Sequence, residues 1–270
     1  MSDDPAHDTI VEETENLSSK HIFEVIRREG IAELKRPKAS LFWSGIAAGM
    51  MISLSVLGEA IFRTYLPDTP WRYLLENLGY SLGFIVVILG SMQLFTENTI
   101  TTVLPLMRDP SPCVFRQVGM LWFIVLFANV IGAFIAATGF AYGSFIPTEL
   151  MPAIMELSEH ATGFAASEAF QRAIPAGVII AAIVWMLPKS EGFELFLIMI
   201  FTWLIAAGDF THIVAGSVEM AFLMVQGALP LQTAMWNFFL PVLAGNILGG
   251  TVIFALLSFG QVRHELPKKL

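Results

Sequence analysis

The stretch "IAAGDFTHIVAGS", residues 205–217, sets Asp209, Thr211 and His212 between two apolar runs, "FELFLIMIFTWL" before it and "VEMAFLMV" after it. Of five histidines (His7, His21, His160, His212 and His264), only His212 lies inside a long apolar segment. A charged side chain at the centre of a bilayer costs about 2.5 to 3.5 kcal/mol on insertion scales. An imidazole there is held neutral until an anion arrives beside it, which suits it to relay protons to weak acids. A neutral ring that locks its own loop by hydrogen bonds, to backbone or to Thr96, is the plainer role, and the two roles are compatible.

A second polar interruption, "LGSMQLFTENT" at 89–99, supplies Thr96, Glu97 and Asn98. Irregular backbone within a membrane survives only where protein or a watery cavity satisfies its amides. Each interruption therefore reads as the end of one half-helix and the start of another near the midplane. Thr96 would cap the first new half-helix, and Asp209 or Thr211 the second, with His212 in its first turn. Two half-helix N-termini would aim positive dipole ends at one central spot. Asp209 reads as a cap or loop tie before a second relay group, and Glu97 as facing cytoplasmic water. Glu59, Glu194 and Glu219 lie near segment ends and read as interfacial. No His/Cys/Asp cluster has metal spacing, and neither a Gly-x-Ser-x-Gly nucleophile motif nor a Gly-rich phosphate loop occurs. The sequence supports no catalysis, implies no cofactor and gives no sign of nucleic-acid binding.

The elements that must position these residues are membrane helices. Among 270 residues, 55% are hydrophobic and 14% charged, with a mean hydropathy of +0.67. A soluble domain carries about a quarter charged residues. Six apolar segments can be drawn, at about 40–62, 77–106, 117–143, 170–187, 192–226 and 233–260, each long enough to cross a bilayer. The expected fold is an all-α integral membrane protein with six transmembrane helices. An acidic, Pro-containing tail over 1–19 reads as disordered. Over 20–38, Ile22, Phe23, Ile26 and Ile31 recur among charges, as in a helix lying on the membrane surface. The first three-helix unit is 39–143, an acidic external connector 144–169, the second unit 170–262, and a tail 263–270. Twelve of fifteen Lys and Arg residues fall on the side of the termini, which places both termini in the cytoplasm.

The second and fifth segments are overlong and interrupted at matching places, the pattern of a transporter built from inverted repeats. "FANVIGAF" (127–134) and "LAGNILGGTV" (243–252) share an Asn-x-x-Gly element in the third and sixth segments. The halves thus read as a 3+3 inverted repeat with helices 2 and 5 broken, although Asn-x-x-Gly is also ordinary small-residue packing.

These residues resemble the formate/nitrite transporter family. "GYSLGFIVVILGSMQLFTENTITTVLP" (79–105) is similar to that family's second helix and broken loop, with its Leu-Phe-Thr-x-Asn core. "GDFTHIVAGS" (208–217) is similar to its Phe-Glu-His-x-x-Ala-Asn stretch. "FQRAIPAGVIIAAIVWM" (170–186) and "NFFLPVLAGNILGG" (237–250) resemble its fourth and last helices, and the likeness extends over about residues 20 to 262. It implies an aquaporin-like fold, a homopentamer in the bacterial inner membrane, and a pore in each protomer for small monovalent anions such as formate or nitrite. Proton relay by a central histidine is implied too. The pore set so implied is His212 and Thr96, with Asp209 and Thr211 beside them. The constriction set is Leu94 on the cytoplasmic side and Tyr80 on the periplasmic side, with Phe95, Phe210 and either Leu204 or Ile205. Gly177 stands where the family has an Asn near the histidine, Thr211 replaces a Glu, and the external basic residue of some members has no clear counterpart beyond His160. The same fold passing hydrosulfide or a neutral polar solute, or a closed-pore binding protein, are the alternatives.

Overall fold

A computed structural model describes residues 18–266, so most of the acidic tail lies outside the described residues. All described elements are helical. Helix α1 is Ser19–Lys35. It is followed by α2 (Lys38–Tyr65), α3 (Arg72–Leu89), the half-helix α4 (Phe95–Thr101) with its continuation α5 (Val103–Arg108), and α6 (Pro112–Tyr142). The connector carries α7 (Met151–Thr162). The second half is α8 (Ala166–Lys189), α9 (Glu194–Ala207), the half-helix α10 (Ile213–Val225) and α11 (Leu231–Val262). Among the described residues five helices are long and apolar enough to cross a membrane, and α9 and α10 are shorter apolar helices on either side of the second break.

Both interruptions fold the same way. Helices α3 and α9 end with Ser91 and Asp209 in the left-handed region, at φ 50° and 57°. In each, the next amide reaches back five residues, Met92 N–H to Val87 O and Phe210 N–H to Ile205 O, at 3.0 and 2.9 Å. This is a Schellman ending, with Ser and Asp where glycine is usual. Asp209 is therefore part of the helix stop, and the expectation that it or Thr211 caps the next helix gives way. The N-cap positions belong to Leu94 and His212, both extended. Thr96 likewise sits one residue inside α4 and caps nothing.

The shared asparagines hold these breaks. Asn129 Oδ1 accepts from Phe95 N–H at 3.0 Å, and its amide donates to Gln93 O and Gly45 O, both at 2.8 Å. Asn246 repeats the set with Ile213 N–H (2.8 Å), Thr211 O (3.1 Å) and Ala173 O (2.8 Å). Each satisfies backbone groups that a broken helix would otherwise leave unpaired. The close approach that brings each asparagine in rests on glycine. A Cβ on Gly49 would lie 2.1 Å from Asn129 O, and one on Gly177 would lie 2.3 Å from Asn246 O. Asn129→Ala and Asn246→Ala should each lower stability by about 2–4 kcal/mol, since each strands a buried amide and two carbonyls. Thermal melting in detergent checks this; one neutral and one severe variant would refute the equivalence of the two sites.

Helix α1 packs its apolar side against the bundle. Ile22, Phe23 and Ile26 are buried against Ile100, Leu104, Ala181, Val184, Ala255 and Val262. Its polar side carries Glu24, whose carboxyl is held down at about 2 chiefly by its hydrogen bonds to Arg27.

Candidate functional site

The two half-helices meet at one contact. Thr96 Oγ1 lies 2.8 Å from His212 Nε2, with both residues buried. His212 Nδ1 accepts from Ala215 N–H at 3.2 Å, which makes the ring the cap of α10. A nitrogen that accepts cannot carry the proton of a neutral imidazole. Nε2 therefore bears it and donates to Thr96. The Thr96 hydroxyl, with its oxygen accepting, keeps its own hydrogen to donate, and it makes no other side-chain bond among the described residues. The centre thus offers a polarised O–H donor within an apolar shell. Phe84 is fully buried and meets the His212 ring edge-on, with centroids 5.0 Å apart. Tyr80 follows, 5.1 Å from Phe84.

A cavity lies on each side of this contact. On the connector side it measures about 130 Å³, with Tyr80, Phe210, Thr211 and His212 among its walls. On the side of the chain ends it measures about 410 Å³ and is lined by Glu29, Glu33, Gln93, Glu97 and Asn98. Leu94 and Phe84 border neither cavity and are fully buried.

The other sequence candidates separate. Thr211 ties its loop to α8, donating to Ala169 O at 2.8 Å. Asp209 faces the connector, with His160 at 2.8 Å and Arg172 at 3.1 Å. Phe95 is buried against Trp122, centroids 5.6 Å apart. Leu204 is 40% exposed on the outside of the bundle, whereas Ile205 is fully buried, so only Ile205 faces inward. Gly177 is a helix-contact glycine sealed by Asn246, not a gap in the pore lining.

Two acidic residues differ from expectation. Glu59 and Glu219 are 5% and 7% exposed and line the connector-side cavity instead of an interface. Glu97 lines the opposite cavity, yet its Oε1 is buried without a partner. Beside it on α1, Glu29 has its carboxyl pushed up by burial and then by Glu33. The basic residue that sequence reasoning missed is Arg63, which lines the connector-side cavity with Nε buried and unbonded.

Comparison with known proteins gives one consistent picture. A family model described as formate/nitrite transporter matches residues 20–260. The inner membrane protein YfdC of Escherichia coli is 44% identical over 248 residues, 92% of this chain and 80% of that protein. The formate channel FocA of Haemophilus influenzae is 28% identical, over 83% of this chain and 87% of that one. Among solved structures, a pentameric formate channel with formate bound superposes with a TM-score of 0.70 at 21% identity, covering 84% of this chain and 98% of that one. A channel of the same family reaches 0.73 at 18% identity, over 91% and 99%.

Proposed function

The chain belongs to the formate/nitrite transporter family, and on that premise we propose that it passes small monovalent weak-acid anions through a pore in each protomer of a homopentamer, together with a proton. The observation that carries this reading is the Thr96–His212 contact between two cavities, at the meeting of two half-helices. An anion reaching it accepts from the Thr96 hydroxyl. A proton placed on His212 Nδ1, as the Ala215 bond opens, releases the one on Nε2 to Thr96 Oγ1. The Thr96 hydrogen moves to the anion, and the cargo continues as a neutral acid. Opening the cap costs about 0.5–2 kcal/mol. The gain is larger, because a bare anion moving inward against 100 mV faces about 2.3 kcal/mol.

The bias of Lys and Arg supports cytoplasmic termini in a bacterial inner membrane, which makes the connector side external. Tyr80 and Leu94 are then the outer and inner narrow points. A second reading, a neutral polar solute instead of an anion such as formate or hydrosulfide in the same fold, is favoured by one observation. Carboxylates line both cavities, Glu59 and Glu219 outside and Glu29, Glu33 and Glu97 inside.

Uptake of labelled formate into proteoliposomes, with nitrite and acetate as competitors, tests the choice. Uptake is expected to rise with an inward proton gradient and to be competed by nitrite. Absence of weak-acid flux at every pH, with neutral solutes passing, would install the second reading.

A further inference from the structure

We propose that Glu59 and Glu219 form a proton-holding site in the outer cavity that feeds the Thr96–His212 centre, so that the proton delivered to each anion comes from this pair. The inference rests on the channel reading and adds where the proton is stored. The argument is one of partners. The outer cavity gathers charges from α2, α3, α7, α10 and the second break, and its cations are taken elsewhere. Arg63 stands 3.4 Å from Glu76 and 3.8 Å from Glu156. Arg72 holds Asp68 at 3.1 Å and Glu76 at 3.4 Å. His160 and Arg172 hold Asp209. Tyr73 donates to Ala207 O, and Tyr80 and His212 are neutral neighbours.

Glu59 and Glu219 are left. Each is more than nine-tenths buried, each lines the same cavity of about 130 Å³, and neither has a salt-bridge or hydrogen-bond partner among the described residues. Arg63 lines the same cavity but pairs with Glu76 and Glu156, so two carboxylates from different helices share this buried space with no cation bound to either, and both staying ionised is costly. The pair keeps a proton instead. His212 lines the same cavity, so the stored proton and the ring share one space.

The transfer balances. A carboxyl O–H of the pair breaks and Nδ1 of His212 gains that proton. The Nε2 proton passes to Thr96 Oγ1, and the Thr96 hydrogen bonds to the anion. The net change is one carboxylate in the cavity, one neutral acid in the pore and a His212 ring that carries its proton on Nδ1, with no electron transferred; proton exchange with water returns the ring to its Nε2–H form before the next anion. External water then restores the proton, so one proton enters per anion. The transfer is driven by the anion's loss of solvating water at the centre, which raises its proton affinity as burial raises that of the pair.

Two readouts on the reconstituted full-length protein test this. In infrared spectra at neutral pH, wild type should show a protonated-carboxyl carbonyl component that is lost from the wild-type-minus-variant difference when Glu59→Gln/Glu219→Gln is compared, and that weakens when formate is added. In uptake, that double variant should lose about tenfold or more of its proton-driven formate flux, while Glu59→Asp/Glu219→Asp, which keeps both carboxyls, retains the coupling. Should the double variant fail to elute as the wild-type oligomer, the single variants Glu59→Gln and Glu219→Gln carry the comparison, and each should lower the band. Lack of the band at neutral pH overturns the proposal. So does a folded Gln variant with wild-type proton dependence. Formate flux without proton dependence in wild type overturns it and leaves of the channel reading only the passage of the anion. A wild type that passes no weak acid removes the channel reading, and the difference in the band between wild type and the Gln variants then decides the proton site.

Discussion

His212→Ala is expected to leave a folded protein whose formate uptake collapses when the membrane is polarised. The fold should survive because the break has other ties. Asn246 holds Ile213 N–H and Thr211 O, and Thr211 holds Ala169 O. The lost cap costs about 0.5–2 kcal/mol, a tolerable fraction of a typical protein's stability. Transport loses more. Without the ring no proton reaches Thr96, and the anion must cross with its charge. At 100 mV, inside negative, the penalty of about 2.3 kcal/mol slows uptake roughly fortyfold, at tenfold per 1.4 kcal/mol. With the potential clamped at zero most of that loss should vanish, and the residual flux should no longer follow the proton gradient. His212→Gln separates the two roles of the ring. Its amide donates to Thr96 as Nε2 does but exchanges no proton, so it should restore stability and leave coupling absent. Proton-coupled uptake by the Gln variant would reduce His212 to a lock. Thr96→Val, which keeps the ring and removes the hydroxyl, should match the alanine variant in transport.

Much of this centre was legible in the chain. The Gly-Ser and Gly-Asp pairs inside apolar runs mark the two breaks, and His212 stands out as the one histidine within an apolar segment, while Thr96 is marked by its place just after the first break. What pairing could not be read from was direction. Glu59 and Glu219 lie near segment ends, and linear distance cannot distinguish a side chain turned to the headgroups from one turned into the bundle. On α2 a signal existed, since Ser55 and Glu59 are one turn apart and therefore share a face; both are buried. On α10 none did, because residues 213–223 are buried all round and leave no stripe. The asparagines were visible as a repeat, yet their work of closing the breaks depends on carbonyls more than thirty residues away. Arg63 was passed over for a related reason, for it acts through the fold of α2 against the connector and not through any local motif.

Gly177 is where sequence comparison and packing disagree most, and the disagreement is testable. By resemblance alone, Gly177→Asn restores a polar contact near His212 and should improve anion flux. Packing says the opposite. A Cβ at 177 would lie 2.3 Å from Asn246 O and 2.9 Å from its Cα, and these are backbone atoms that cannot swing aside. Overpacking costs about 1–3 kcal/mol where side chains can adjust, occasionally more, and here α8 must move off α11. That movement also draws Asn246 away from Ile213 N–H and Thr211 O, which slackens the break that aims His212 at Thr96. Gly177→Ala should already lower the melting temperature clearly, and Gly177→Asn should prevent recovery of the oligomer by size exclusion. Gly49→Ala is the matching test in the other half, where a Cβ would meet Asn129 O at 2.1 Å, and it should cost a similar amount. A stable Gly177→Asn oligomer with faster formate uptake would mean that α8 can shift without loss and that the glycine is a vacancy in the pore after all. Loss of the oligomer in both glycine variants would instead make the two sites one device, used twice, for seating an asparagine under each broken helix.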